Sequence, residues 1–277
     1  RPELPLLRTP EHVDNVDTLI LESTYGDRLH PPFEGIDDEL AEIIKSTVKR
    51  GGRIYIPTFA LERAQEVLFA LERLHEADAI PKVPIYIDSP LAISITEIYK
   101  LHPDCLSAEV RDRVLSRNDP FRPPGLQYIS AVEDSIALQD RTDPCIVIAG
   151  SGMCEGGRIV HHLRRSLSDS KNTVVIVGFM AQHTLGRRLV DGHKSVRVLG
   201  MERDVRASIR KLEGLSAHAD QRGLVEFAKA IAARGNLRRL VLVHGEEEPQ
   251  LELEAKLKDA GLSAKVIRPK PGETLEL

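Results

Sequence analysis

The sequence predicts an α/β fold, and two patterns along the chain indicate it. Short runs of β-branched and other apolar residues alternate with stretches of helical periodicity over most of the 277 residues, as in layered α/β proteins. The apolar runs are nearly continuous, which is typical of strands that are buried on both faces. A chain of this length is expected to form two domains, and a single large domain stays open.

Six runs rich in Val, Ile and Leu predict the strands, at residues 18–22, 53–56, 83–88, 145–149, 173–177 and 240–243. Apolar residues at helical spacing predict five helices, at residues 37–49, 62–74, 157–167, 221–233 and 249–260. The segment 118–125 is rich in Pro and Gly and is expected to be a loop.

Composition excludes several classes of protein. Hydrophobic residues make up 42% of the chain and charged residues 29%, as in ordinary globular proteins. No apolar run reaches the roughly 18 residues that a membrane helix needs. The net charge of −4 argues against a generally basic surface for nucleic acid, so any polyanion would be held by a local site. Three cysteines without a CxxC pair favour the reducing cytoplasm.

A glycine-rich turn follows the predicted strand at 145–149, in the segment VIAGSGMCEGGR at 147–158. A strand that leads through such a turn into a helix directs backbone N–H groups and the helix dipole at an anion. The segment differs from the dinucleotide fingerprint GxGxxG because Glu155 stands where the third glycine belongs, and no Gly-Lys-Ser/Thr follows to make a phosphate-binding Walker loop. A tight turn without a ligand is equally open.

Three single residues are candidates for chemistry. Glu22 ends a predicted strand, where active sites of open sheets gather, although it could equally cap or salt-bridge. His244 ends another strand beside Gly245 and suits a metal ligand, with a structural histidine as the alternative. His218, in the segment GLSAHAD, could pack, bind a metal or donate a proton.

Two further histidines make a poor metal site. His161 and His162 are adjacent in a predicted helix, so their side chains diverge and do not form a chelate. We expect each of them to be solvated or packed.

Six ordered blocks together resemble the β-CASP branch of the metallo-β-lactamase superfamily, a group of RNA-processing nucleases. The blocks cover nearly the whole chain and are LILESTYGDR at 19–28, IPTFALERAQE at 56–66, SGMCEGGRIVHHL at 151–163, TLGRRLVDG at 184–192, GLSAHAD at 214–220 and LVLVHGE at 240–246. The resemblance implies the C-terminal part of a metallo-β-lactamase αββα sandwich with an inserted Rossmann-like β-CASP domain. Residues 1–26 would end the N-terminal sandwich segment, residues 27–195 would form the β-CASP domain, and residues 196–277 would form the C-terminal sandwich segment.

The resemblance also implies a zinc-dependent ribonuclease that acts in RNA processing or decay. His218 would be the general acid, oriented by Glu22, and His244 would be a zinc ligand, with the three side chains meeting at the cleft between the two domains. The turn of Ser151, Gly152 and Met153 would form a wall of the RNA-binding cleft. Arg187 or Arg188 would supply positive charge there. RNA is the expected partner, no membrane is expected, and a homodimer is left open.

The chain departs from the family's pattern in two ways. The His-x-His-x-Asp-His motif, which supplies most ligands of the family's two zinc ions, does not occur in these 277 residues. We therefore expect a truncated form of an enzyme that alone binds zinc weakly and does not cleave RNA; a non-catalytic RNA-binding or scaffold member is the alternative. In addition, Glu62 precedes Arg63 at a position where the family often has glycine, and the family prefers a glycine near Gln182 and His183.

Two other functions are disfavoured. A nucleotide-binding enzyme would use the turn at 150–157, but Glu155 interrupts its fingerprint. A hydrolase of small esters would not need the inserted domain, which the resemblance associates with nucleic acid.

Overall fold

The computed structural model describes residues 1, 4–31 and 35–276, which form two compact units. Unit 1 consists of Arg1–Pro31 and Ala217–Leu277, and unit 2 consists of Pro32–Ser216. Both units combine helices with parallel sheets, which confirms the predicted α/β class. The units thus divide after residues 31 and 216, while the division into domains after residues 26 and 195 stays a prediction.

The strands are β1 Thr18–Glu22, β2 Ile54–Pro57, β3 Ile85–Asp88, β4 Leu126–Tyr128, β5 Ile146–Ala149, β6 Thr173–Ile176, β7 Ser195–Val198, β8 Met201–Asp204, β9 Ser208–Lys211, β10 Arg239–Val243 and β11 Lys265–Ile267. The α-helices are α1 Ile36–Lys49, α2 Arg63–Glu76, α3 Pro90–Leu101, α4 Ala108–Leu115, α5 Val132–Asp140, α6 Gly157–Ser166, α7 Leu185–Val190, α8 Gln221–Ala233 and α9 Glu247–Asp259. All of the predicted strands and helices are present, with ends within about two residues of the predicted ones. The segment 118–125 is irregular, as predicted.

Unit 1 contains a parallel sheet in the order β1-β10-β11. Leu21, Leu240 and Leu242 lie on one face of this sheet and form a core with apolar residues of α8 and α9. On the opposite face of β1, Ile20 is 58% exposed. The expectation that every strand is buried on both faces is therefore wrong for β1, because α8 and α9 cover only the other face.

Unit 2 contains a six-stranded parallel sheet in the order β4-β3-β5-β2-β6-β9, together with the antiparallel hairpin β7-β8. Every residue of β2, β3, β5 and β6 is buried, which confirms burial on both faces for these strands. Because the sheet is parallel, the turns that follow β2, β3, β5 and β6 begin at one edge of it.

A buried polar cluster fastens helices to this sheet. Asp88, the last residue of β3, accepts hydrogen bonds from His162 Nε2 at 2.7 Å, Ser135 Oγ at 2.6 Å and Arg158 at 2.7 Å. His162 is buried while His161 is exposed, so the expectation that these histidines pack or face solvent holds. Asp88 thereby ties α5 and α6 to the end of β3.

Two residues in the places where the resemblance leads us to expect glycine, Glu62 and His183, have positive φ. Glu62 has φ 66° and ψ −59°, with a hydrogen bond from the Arg63 amide to the Leu61 carbonyl at 2.8 Å, and His183 has φ 68°. A side chain is strained at positive φ, whereas glycine is not. Glycine would therefore be the least strained residue at these two positions.

No helix within the described ranges is long and apolar enough to span a bilayer.

Candidate functional site

Unit 1 brings Glu22, His218 and His244 together. Glu22 ends β1 and pairs in register with Val243, the last residue of β10, so His244 follows at the same edge of the sheet. His218 lies in the turn before α8, whose first turn is capped by the Asp220 side chain. One ligand-type atom from each of the three side chains lies within 4.8 Å of the others.

The carboxylate of Glu22 is held by three donors. Its Oε2 accepts from the Thr24 amide at 2.9 Å and lies 3.3 Å from His218 Nδ1, and its Oε1 accepts from the Ala219 amide at 3.0 Å. Burial raises the pKa of Glu22, but the hydrogen bonds from His218 and Thr24 outweigh that effect and lower it to about 2. Glu22 is therefore an ionised acceptor that orients its neighbours.

The hydroxyl of Thr24 lies between the two imidazoles. It donates to the backbone carbonyl of His244 at 2.9 Å, and it lies 3.1 Å from His244 Nδ1 and 3.3 Å from His218 Nδ1. Because its only proton goes to the carbonyl, the hydroxyl can only accept from the ring nitrogens. The geometry thus assigns the proton to Nδ1 of both histidines and leaves both Nε2 atoms available for chemistry.

The imidazole rings of His218 and His244 are stacked, with their centroids 4.9 Å apart and their planes 24° from parallel. The loop that carries His218 is also held by His30. The Nε2 atom of His30 donates to the His218 carbonyl at 3.0 Å, and the His30 amide donates to the Asp220 carboxylate at 3.0 Å. The Tyr25 ring meets the His30 ring edge-on at 4.7 Å. The position of His218 is therefore fixed by backbone as well as by side-chain bonds.

The donor set fits zinc. Two imidazoles and a carboxylate are among the ligands that Zn²⁺ prefers, and a ligating histidine commonly donates its second ring N–H to a neighbour, as His244 does to Thr24. Glu22 already accepts three hydrogen bonds, so it is better suited to orient His218 than to bind a metal.

Unit 2 holds the residues predicted to contact substrate. In the turn after β5, the Ser151 hydroxyl accepts from the amides of Glu155 at 3.1 Å and Gly156 at 3.3 Å. Two of the donors expected to face an anion are thus satisfied within the turn. Phe59 covers Gly152 so closely that a Cβ there would lie 2.7 Å from the ring, and Phe59 as a whole residue is 46% exposed.

The turn also fixes α7, the helix that carries Arg187. The Glu155 carboxylate accepts from the Leu185 amide, and the Met153 carbonyl accepts from the Gly186 amide at 3.1 Å. Glu155 therefore caps α7, which explains why a carboxylate stands where a dinucleotide site needs glycine. The predicted substrate residues of unit 2 thus lie on two elements that are bonded to each other.

Family comparisons match most of the chain. The Beta-Casp domain matches residues 64–189, and the Zn-dependent metallo-hydrolase RNA specificity domain matches residues 202–269. A ribonuclease of Thermus thermophilus is 41% identical over 251 residues, which are 91% of this chain and 56% of the relative. The chain belongs to the β-CASP family of the metallo-β-lactamase fold.

Other β-CASP relatives carry different names. An RNase J-like protein of Methanocaldococcus jannaschii is 33% identical over 89% of this chain and 56% of its own length. A transcription termination factor of Thermococcus kodakarensis is 32% identical over 90% of this chain and 39% of its own length. The chain thus spans about half, or less, of the curated relatives it matches. Its match to a Zn-dependent metallo-hydrolase domain suggests zinc for this β-CASP family.

Sequence reasoning missed two residues of the site, Thr24 and His30. Thr24 lies inside the block at 19–28, and His30 follows that block by two residues. Their proximity to Glu22 in the sequence was the available signal, but their contacts with residues 188 to 220 positions away depend on the fold.

Proposed function

We propose that this chain belongs to a zinc-dependent ribonuclease that hydrolyses RNA phosphodiester bonds in RNA processing or decay. The observation that carries the proposal is the cluster of Glu22, Thr24, His218 and His244, in which each imidazole keeps Nε2 available. The match to an RNA specificity domain and the ribonuclease name of a relative support RNA as the substrate.

His218 donates the proton in this proposal. Its Nδ1 faces the ionised carboxylate of Glu22 at 3.3 Å, which orients the ring. The protonated ring donates its Nε2 proton to the ribose oxygen that departs from phosphorus. Thr24 and the Ala219 amide keep Glu22 and the ring in this orientation.

His244 would hold zinc in this proposal, with Nε2 as its available donor atom. Zinc, when bound, would supply an activated water and stabilise the charge that develops on the phosphate. One histidine does not complete such a site, so the remaining ligands come from a His-x-His-x-Asp-His segment, which these 277 residues do not contain. The chain by itself then binds zinc weakly and does not cleave RNA.

RNA phosphates contact the turn of Ser151, Gly152 and Met153, with Arg187 nearby. The exposed ring of Phe59 beside Gly152 offers a base a surface for stacking. We further propose that unit 1 is the metallo-β-lactamase part of an αββα sandwich and that unit 2 is the inserted β-CASP domain.

The test uses the protein in which this chain is accompanied by the His-x-His-x-Asp-His segment. The variant His218→Ala should lower RNA cleavage by about 100-fold or more and leave the zinc content unchanged, whereas His244→Ala should lower the zinc content. Normal cleavage by His218→Ala would refute the assigned proton donor. Full two-zinc occupancy of the 277-residue chain alone, measured by elemental analysis, would refute the proposed origin of the missing ligands.

The absent motif favours a second candidate, a non-catalytic RNA-binding or scaffold member of the family. That candidate predicts RNA binding without cleavage even when the His-x-His-x-Asp-His segment is supplied and zinc is present.

A further inference from the structure

Two adjoining cavities on unit 2 share one residue, His193. The first has a volume of about 520 Å³ and is lined by Gln182, His183, Arg187, Arg188, Asp191 and His193. The second has a volume of about 270 Å³ and includes His193, Lys194 and Lys211 in its lining. His193 lines both cavities, and we call their combined lining the His193 groove.

The His193 groove is basic, although the chain has a net charge of −4. Within the described part of the chain, four cationic side chains line it, those of Arg187, Arg188, Lys194 and Lys211, together with one acid, Asp191. Positive charge is therefore concentrated here against the overall balance of the protein, which is how an acidic protein can present a local site to a polyanion.

Some of these cationic side chains have an acidic partner within the described part of the protein and others do not. Arg187 pairs with Asp191 at 2.8 Å, and Lys211 pairs with Glu213. Among the residues that the structure describes, the side chains of Arg188 and Lys194 make no hydrogen bond or ion pair. Nε of the half-buried Arg188 is enclosed without a hydrogen-bond partner. A half-buried guanidinium without a carboxylate gains from an anion that approaches it.

The backbone of the groove is fixed by local bonds. After α7 the chain turns at Gly192, whose φ of 79° favours glycine, and the His193 amide bonds to the Arg188 carbonyl at 3.2 Å. The Lys194 carbonyl accepts from the Val205 amide at 2.8 Å, which anchors the start of the β7-β8 hairpin. A ligand would thus meet a preorganised site.

We propose that the His193 groove binds the sugar-phosphate backbone of a single RNA strand, independently of base sequence. This inference rests on the proposed function, which makes RNA the substrate. Two cavities that share the lining residue His193 suit an extended chain of phosphates better than one compact phosphate compound does. Arg188 and Lys194 contact successive phosphates, His183 and His193 donate further hydrogen bonds, and the partly buried Ile209 offers an apolar wall.

The experiment measures the affinity of the 277-residue chain for a fluorescent single-stranded RNA by anisotropy at several salt concentrations. The double variant Arg188→Gln/Lys194→Gln should lower affinity about tenfold and reduce the slope of log K against log salt by about 1 to 1.5, since two phosphate contacts are lost. The control Lys49→Gln/Lys82→Gln removes the same charge from exposed lysines of unit 2 that lie outside both cavities, and should leave the slope unchanged. The conservative variant Arg188→Lys/Lys194→Arg should retain most of the affinity.

Equal losses in the groove variant and the control would overturn the groove proposal while leaving RNA as the substrate. A chain that does not bind RNA at all would overturn both the groove and the RNA-binding part of the proposed function. Displacement of RNA from the wild-type chain by an acidic polypeptide but not by a second RNA would assign the groove to an acidic protein partner and would also overturn the proposal. Matching thermal unfolding curves establish that the variants are folded.

Discussion

Oε2 of Glu22 lies 3.3 Å from Nδ1 of His218, across 196 positions of sequence. The end of β1 supplies the carboxylate, and the turn before α8 supplies the imidazole. Since the Thr24 and Ala219 amides also bond to the carboxylate, Glu22 can neither rotate freely nor take up a proton near neutral pH. The carboxylate therefore acts on His218 as a fixed negative charge.

Neutralising that charge should weaken proton donation. In the zinc-loaded protein that includes the His-x-His-x-Asp-His segment, Glu22→Gln should lower kcat for RNA cleavage by about 10- to 100-fold. KM should change little, because the substrate does not contact Glu22 in the proposal. Steady-state kinetics measure both. The exposed Glu252→Gln should match the wild type, and an equally small effect of Glu22→Gln would contradict the orienting role.

Removing the Thr24 hydroxyl should change the tautomer of His244, because the hydroxyl is the acceptor for its Nδ1. In the metal-free chain, ¹⁵N NMR of labelled His218 and His244 should show Nδ1 protonated in their neutral forms, because the Thr24 hydroxyl only accepts from them. The variant Thr24→Val should show mixed tautomers for His244, whereas His218 should keep its proton on Nδ1 because that atom still faces the Glu22 carboxylate at 3.3 Å. Thr24→Ser should restore the wild-type pattern, and an unchanged His244 tautomer in Thr24→Val would show that the hydroxyl does not select it.

Loss of the Asp88 charge should destabilise unit 2 in a pH-dependent way. Burial raises the pKa of Asp88, but the hydrogen bonds from His162, Ser135 and Arg158 lower it below its usual value of 3.8. A lowered pKa in the folded state means that the stabilisation is present above pH 3.8 and is lost as the pH falls below it. Asp88→Asn should therefore lower the free energy of unfolding by about 3 kcal/mol at pH 7. The difference in unfolding free energy between the wild type and this variant should become smaller below about pH 4.

Urea unfolding at pH 7 and below pH 4 measures this difference. The exposed Asp143 pairs with Arg141 at 2.7 Å and is the control, since Asp143→Asn should cost about 1 kcal/mol or less. A loss for Asp88→Asn that does not change with pH would argue against an ionised Asp88 in the folded protein.

Glu62→Gly should stabilise the protein. Glu62 has φ 66° and ψ −59°, a conformation that costs a residue with a side chain about 1 to 3 kcal/mol, while glycine loses about 1 kcal/mol through its greater freedom in the unfolded chain. The expected net gain is about 1 kcal/mol, seen as a raised Tm. Glu62→Ala keeps Cβ and should not give the gain; a Gly variant less stable than the wild type would contradict the strain at this position.

The central strands could be predicted because their side chains are apolar throughout, as in β2 and β5. The edge strands β9 and β11 escaped prediction because charged residues interrupt them and they are held by backbone pairing to one neighbour. The six-residue helix α7 escaped for a related reason: it is too short for periodicity to reveal it.

The site was predictable where a residue ends a strand, as Glu22 does, or directly follows one, as His244 does, and the resemblance to the β-CASP family added His218. The role of Thr24 was not predictable, because it depends on a hydroxyl whose neighbours lie 194 and 220 positions away. Periodicity carries no information about such contacts.

The most direct test of proton donation by His218 replaces the bridging oxygen that leaves phosphorus with sulfur, whose thiolate departs without a proton. With the zinc-loaded protein that includes the His-x-His-x-Asp-His segment, His218→Ala should cleave ordinary RNA about 100-fold or more slowly than the wild type. The same variant should cleave the sulfur-substituted RNA at nearly the wild-type rate. Equal losses on both substrates would contradict the assignment of His218 as the proton donor.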